Sequence, residues 1–146
     1  MKGFTFLELM VVLAIAVLAT ALVLPRIGAS SGAELDAAVR TIAAGLRQAR
    51  GDSVASGRPV AVTLDLERKR LGLQGARTRA LPESLDYQLF TARSEIASDS
   101  VAGVRFYPDG SSTGGRFTAS DGRQERYIDV DWLTGRVRVL PPAEAG

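Results

Sequence analysis

The chain has 146 residues, enough for one domain and too few for two of ordinary size. It contains neither cysteine nor histidine, which excludes disulfide frameworks, zinc fingers, haem attachment, cysteine nucleophiles and every histidine-based triad or general base. The net charge of +2 is small and the 46% hydrophobic share is ordinary, but the apolar residues crowd toward the amino end. From Phe6 to Leu24 the chain reads FLELMVVLAIAVLATALVL, with Glu8 as its only charge. As a helix this run spans about 28 Å at ~1.5 Å per residue, close to the ~30 Å hydrocarbon core of a bilayer. A secretory signal peptide has a shorter apolar core and a small-residue cleavage site after it. Here Ala19-Thr20-Ala21 imitates such a site, but from inside the run. A carboxylate in a lipid-facing helix costs roughly 2.5–3.5 kcal/mol at the centre and less near the end. Glu8 therefore reads either as a tolerated terminal charge or as a group awaiting a cation that nothing else in the run supplies.

The segment Gly3-Phe4-Thr5-Phe6-Leu7-Glu8-Leu9 resembles the prepilin signature of type IV pilins and type II secretion pseudopilins. In that family a short basic leader ends in Gly, Phe follows, and Glu stands four residues later at the head of a hydrophobic helix. The resemblance implies that a membrane prepilin peptidase cuts between Gly3 and Phe4 and that Phe4 is then N-methylated. It further implies that Glu8 pairs with the Phe4 amine of a neighbouring subunit and so sets register in a filament of packed helices. Pro25 matches a helix-kinking proline of many such proteins. The division that follows is a leader over 1–3, a transmembrane and filament-core helix over 4–25, an amphipathic periplasmic helix over 26–57, an antiparallel β domain over 58–140 and a flexible tail over 141–146. With Lys2 at the amino end, the implied topology is a single pass of the bacterial inner membrane, amino terminus cytoplasmic and domain periplasmic.

Beyond the breaker-rich Pro25–Gly32, the apolar positions Leu35, Val39, Ile42, Leu46, Ala49 and Val54 recur at helical steps. They predict an amphipathic helix to about Ser56, ended by Gly57 and Pro59, with Asp36, Arg40, Arg47, Arg50 and Asp52 outward. After Pro59 the period becomes two. Val60–Leu66 and Arg70–Gln74 form a hairpin turned by Glu67-Arg68-Lys69, and Leu85–Phe90 is a further strand. Residues 91–102 read as loop. Val104–Tyr107, Arg116–Ala119, Glu125–Trp132 and Arg136–Leu140 complete six or seven short antiparallel strands, an α+β fold.

The stretches FYPDGSSTGG from Phe106 to Gly115 and IDVDWLTGRV from Ile128 to Val137 are similar to the carboxy-terminal domain of the GspH/FimT family of minor pilin-like subunits, and to its secretion branch in particular. That resemblance implies a structural subunit near the tip of a secretion pseudopilus, supporting its assembly and the export of folded proteins. Its implied partners are the prepilin peptidase, major and other minor pseudopilins, and the inner-membrane secretion platform. Residues 73–101 match no named pattern, so a partner surface can lie there.

An enzyme lacks its parts: there is no histidine base, Lys2 sits in the leader, and Lys69 sits in a turn where solvation is expected. Gly110–Gly115 lacks the Gly-Lys-Ser/Thr ending of a phosphate loop and reads as a tight β connection. Asp109, Asp129 and Asp131 supply oxygens without a ligand spacing, so neither metal nor cofactor is expected. All but two of the 18 basic residues are arginine. Arg68, Lys69, Arg70, Arg77 and Arg79 form a basic run, and Gly135-Arg136-Val137-Arg138 puts Arg136 and Arg138 on one strand face. In the FimT branch such an element is associated with DNA, which makes a DNA-binding minor type IV pilin the alternative reading. Pairing Glu125–Asp131 with Arg136–Leu140 places Asp131 opposite Arg136 and Asp129 opposite Arg138, predicting neutralisation of both arginines, with Val137 and Val139 facing the core. With the small net charge, this argues against nucleic acid as a partner.

Overall fold

The computed structural model describes residues 5–140, with the side chains of residues 19–31 excepted. The leader, Gly3, Phe4 and the 141–146 tail lie outside the described residues, as does the side chain of Pro25, where a kink is expected. The chain divides into two compact units, Met1–Ala33 and Glu34–Gly146.

A single helix, α1 (Phe6–Ser56), takes in both expected helical segments. Every described side chain from Phe6 to Leu18 is exposed, including Phe6, Leu9, Leu13 and Ile15. Among the described residues no helix is long and apolar enough to cross a membrane; the Phe6–Leu24 run is described by side chain only as far as Leu18.

In the second unit the stripe behaves as its spacing predicts: Leu35, Ala38, Val39, Ile42, Ala43, Leu46 and Ala49 are all buried. Gly45 lets the helix lie close on the sheet, since a Cβ there would stand 2.9 Å from the Leu71 side chain. Val54 breaks the expectation and is exposed. The buried position falls instead to Ser53, whose hydroxyl satisfies the carbonyls of Arg58 at 2.8 Å and Phe106 at 3.1 Å. Gly57, at φ 66°, closes the helix with its N–H on the Ser53 carbonyl, and Pro59 cannot extend it.

Among the described residues nine strands follow: β1 (Val60–Asp65), β2 (Arg70–Leu73), β3 (Arg79–Ala80), β4 (Asp86–Thr91), β5 (Ile96–Ser98), β6 (Val101–Phe106), β7 (Gly115–Ser120), β8 (Glu125–Val130) and β9 (Val137–Leu140). The α+β class holds. The two strands beyond the expected seven, β3 and β5, are short pieces within residues 73–101, and residues 91–102, read as loop, contain β5, a 3-10 turn at Arg93–Glu95 and the start of β6. Each is exposed or irregular and carries no alternation that sequence could reveal.

The strands form two antiparallel sheets, ordered β3-β2-β1-β6-β5 and β4-β7-β8-β9. Inward residues of both sheets, among them Val62, Leu64, Leu71, Val104, Phe106, Phe117 and Ile128, join the helix stripe in one core. The sheets are tied where Thr91 of β4 donates its hydroxyl to the Gly103 carbonyl of β6 at 2.7 Å. Lys69, placed in a solvated turn by its sequence, instead donates to the carbonyls of Glu83 (2.6 Å) and Leu85 (2.8 Å) and anchors the approach to β4. Val139 is paired with Ile128 as predicted but is exposed, lying near the end of an edge strand.

Candidate functional site

Three places carry the residues that the sequence singles out: the first turn of α1, the loop between β6 and β7, and the turn between β8 and β9. At the first, Thr5 precedes the helix and accepts the Glu8 N–H on its hydroxyl (3.3 Å) and on its carbonyl (3.0 Å). Thr5-x-x-Glu8 is thus a capping-box pattern, a signal present in the sequence that the prepilin resemblance does not use. It gives Glu8 a local reason to stand in the first turn, where the helix amino end favours a carboxylate. The role of Glu8 between subunits rests on Phe4, which lies outside the described residues.

The other two places meet. Between β6 and β7, Tyr107-Pro108-Asp109-Gly110 turns on a bond from the Gly110 N–H to the Tyr107 carbonyl (2.9 Å), with Gly110 at φ 86°. Asp109 accepts the Ser111 hydroxyl (2.6 Å) and N–H (2.9 Å), and those bonds hold its carboxyl below the usual carboxylate range. Ser112, buried, donates its N–H to the Trp132 carbonyl (2.8 Å) and its hydroxyl to the Asp131 carbonyl (3.0 Å), stitching the loop to the second turn.

In that second turn one oxygen of Asp131 accepts the Thr134 N–H (2.7 Å), the Thr134 hydroxyl (2.9 Å) and the Leu133 N–H (3.0 Å). These bonds, the Thr134 N–H foremost, lower its pKa, with the charge of Arg138 adding to them. Gly135 follows at φ 62°, and a Cβ there would fall 2.1 Å from the Gly110 carbonyl oxygen. Arg50 of α1 closes the assembly. Its Nε donates to the carbonyls of Gly110 (3.2 Å) and Thr134 (3.1 Å), while Arg47 reaches the Val137 carbonyl at 3.4 Å. The two stretches that read as one family signature are therefore halves of a single clasp around a helix arginine. Arg50, placed by sequence merely on the outer helix face, is the residue that reading missed.

The predicted register is correct: Asp129 faces Arg138, Val130 faces Val137, and the Asp131 N–H bonds to the Arg136 carbonyl. The predicted neutralisation is not. Arg116 of β7 takes Asp129 through two bonds, Nε to Oδ1 at 2.7 Å and Nη2 to Oδ2 at 3.1 Å. Asp129 stands opposite Arg116 on β7 as well as opposite Arg138 on β9, and the Arg116 fork takes the carboxylate in a bidentate pair. Asp131 serves its own turn. Among the described residues no ion pair joins Asp129 to Arg138 or Asp131 to Arg136, and both arginines are exposed. They also part company. Arg138 lines a groove with Arg116, Asp129, Asp131 and Phe90, whereas Arg136 lines a cleft with Arg47 and Arg50. Beside the groove, Phe90 (81% exposed) and Trp132 (67% exposed) line a shallow apolar depression floored by Gly114 and Gly115. Phe90 falls in the stretch flagged as a possible partner surface.

Among the described residues no group of three or more acidic side chains is placed to hold a metal ion. Residues 38–135 match the family described as Type II transport protein GspH. Type II secretion system protein H of Xanthomonas campestris pv. campestris is 33% identical over 144 residues, a match spanning 97% of this chain and 84% of that protein. Among solved structures, the minor pseudopilin EpsH of the Vibrio cholerae type 2 secretion system superposes with a TM-score of 0.60 at 17% identity, covering 76% of this chain and 99% of that one. The type IV minor pilin FimU of Pseudomonas aeruginosa superposes with a TM-score of 0.58 at 18% identity, covering 76% and 96%. At these identities the two structures bear on the fold alone.

Proposed function

Because this chain belongs to the GspH family of type II transport proteins, a family of structural subunits and not of enzymes, we propose that it works as a minor pseudopilin near the tip of a secretion pseudopilus. There it supports pseudopilus assembly and the export of folded proteins across the outer membrane. The observation that carries this reading is the division of labour along α1. The stripe from Leu35 to Ala49 is buried within the chain, while the apolar side chains from Phe6 to Leu18 find no cover in it. A helix that is apolar on all sides requires lipid or other helices around it. The run Phe6–Leu24 serves first as a single-pass inner-membrane anchor, amino end cytoplasmic, and then as the filament spine.

On this reading prepilin peptidase processes the chain between Gly3 and Phe4, and Phe4 is N-methylated. Glu8 then answers the Phe4 amine of an adjacent subunit, and Pro25 bends the spine where it leaves the membrane. The β domain meets major and other minor pseudopilins, and the spine engages the inner-membrane platform. The test is Glu8→Gln, which keeps the Thr5-x-x-Glu/Gln capping pattern and removes only the charge. The expected result is loss of co-assembly with the major pseudopilin and a severe drop in secretion, with the chain still inserted in the membrane. Normal assembly by both Glu8→Gln and Glu8→Ala would falsify the register role.

A further inference from the structure

We infer that the cleft formed by Arg47, Arg50 and Arg136 is a receptor for a carboxylate of a neighbouring protein in the assembly, an inference that rests on the pseudopilin reading above. The cleft has a volume of about 320 Å³ and is lined by these three arginines with Thr134, Gly135 and Val137. Among the described residues no acidic side chain lines it. Three strand arginines of the domain are answered with carboxylates: Arg105 with Glu95 at 3.2 Å, Arg116 with Asp129 at 2.7 Å, and Arg126 with Asp36 at 3.4 Å. In the cleft the acceptors are backbone carbonyls of Gly110, Thr134 and Val137. Carbonyls satisfy hydrogen bonds but carry no counter-charge.

The site is also built in advance. Arg50 is held through Nε by two carbonyls, and the glycines beside it leave room for its head: a Cβ at Gly110 would lie 3.0 Å from Nη2, and one at Gly135 2.9 Å from Nε. A guanidinium so fixed has already lost its side-chain freedom, so an incoming oxyanion gains more from it. Arg136 reaches the same cleft, and its side chain has no hydrogen-bond or ion-pair partner among the described residues. The chemistry favours one protein carboxylate over a nucleic-acid backbone. Duplex binding draws on a stripe of phosphate contacts. The adjoining Arg138 groove instead carries Asp129 and Asp131, and the net charge is only +2.

The experiment uses the full chain in detergent micelles at low salt, with a labelled oligoglutamate peptide and a labelled short DNA duplex as probes, read by fluorescence anisotropy. The peptide is expected to bind. Arg136→Gln and Arg47→Gln are each expected to weaken it about tenfold, the scale of one charge-assisted hydrogen bond, with unchanged circular dichroism. Arg138→Gln should leave the peptide affinity unchanged. The proposal is overturned if the peptide does not bind, if neither Arg136→Gln nor Arg47→Gln weakens it, or if the duplex binds more tightly than the peptide and loses affinity with Arg138→Gln. Co-isolation of the wild-type chain with the major pseudopilin from cells tests the underlying reading separately. Its absence sinks that reading, whereas peptide failure with co-isolation intact sinks the cleft alone.

Discussion

Two stretches of one helix, each carrying a run of large aliphatic side chains, meet opposite fates. From Leu35 to Ala49 every large aliphatic side chain of the stripe is covered by the chain's own sheets, with Leu35, Ile42 and Leu46 at 1% exposure or less. From Phe6 to Leu18 the large apolar side chains stand between 49% and 80% exposed. Periodicity separates them. Residues 34–52 interleave the stripe with Asp36, Arg40, Arg47, Arg50 and Asp52, so one face belongs to the core and the other to water. Residues 9–18 hold no polar residue at all, so no face is assigned to water. The first stretch completes a domain; the second specifies an environment outside the chain.

The largest expected effect tests that contrast directly. Leu46→Ala removes a fully buried side chain and should destabilise the domain by about 2–5 kcal/mol, read by chemical denaturation of the full chain in detergent. Leu13→Ala should leave that transition within about 0.5 kcal/mol, because its side chain touches no core, and should instead weaken filament co-assembly. Equal destabilisation by the two would erase the distinction between the stretches.

A second, smaller effect sharpens where the domain's self-sufficiency lies. Gly135 and Gly122 both hold positive φ, at 62° and 82°. At Gly122 a Cβ would meet nothing within 4 Å, so Gly122→Ala should cost only the left-handed penalty, about 1–2 kcal/mol. At Gly135 the Cβ would collide with the Gly110 carbonyl and crowd Arg50, so Gly135→Ala should cost about 1–3 kcal/mol more. Comparable melting temperatures for the two variants would mean that the clasp is not a stabilising element.

The legibility of the molecule in its sequence follows the same physics. The core stripe, seven strands and the β8–β9 register were readable because burial imposes a period, 3.6 or 2, and a slipped register would turn Ile128 and Val130 out of the core. Ser53 in place of Val54 was not, because a hydroxyl buried against the carbonyls of Arg58 and the distant Phe106 leaves no hydrophobic signal. Strands β3 and β5 escaped for want of alternation. The charge assignments failed most instructively. Register tells which residues stand opposite, but not that Arg116, on the next strand, has the better geometry for Asp129. Nor could spacing bring Arg50 to Gly110 and Thr134, residues 60 and 84 positions away.

The smallest effect concerns charge within the domain. Asp65, Asp109, Asp121 and Asp131 each accept hydrogen bonds from nearby groups of their own turns, and each titrates below the usual carboxylate range for that reason. A carboxyl whose folded pKa is depressed binds fewer protons folded than unfolded. The stability it contributes is present above the unfolded value of about 3.9 and is lost as pH falls through the folded one. The domain's denaturation midpoint should therefore hold through neutral pH and drop below about pH 4. Asp131→Asn keeps an oxygen facing the Leu133 N–H, the Thr134 N–H and the Thr134 hydroxyl but carries no charge. It should be less stable than the native chain at neutral pH, with the gap narrowing as the pH is lowered and the native carboxylate takes up its proton. A gap that stays constant from neutral to acid would mean that the turn uses the oxygen and not its charge. The self-contained part of the molecule would then owe this turn to shape alone.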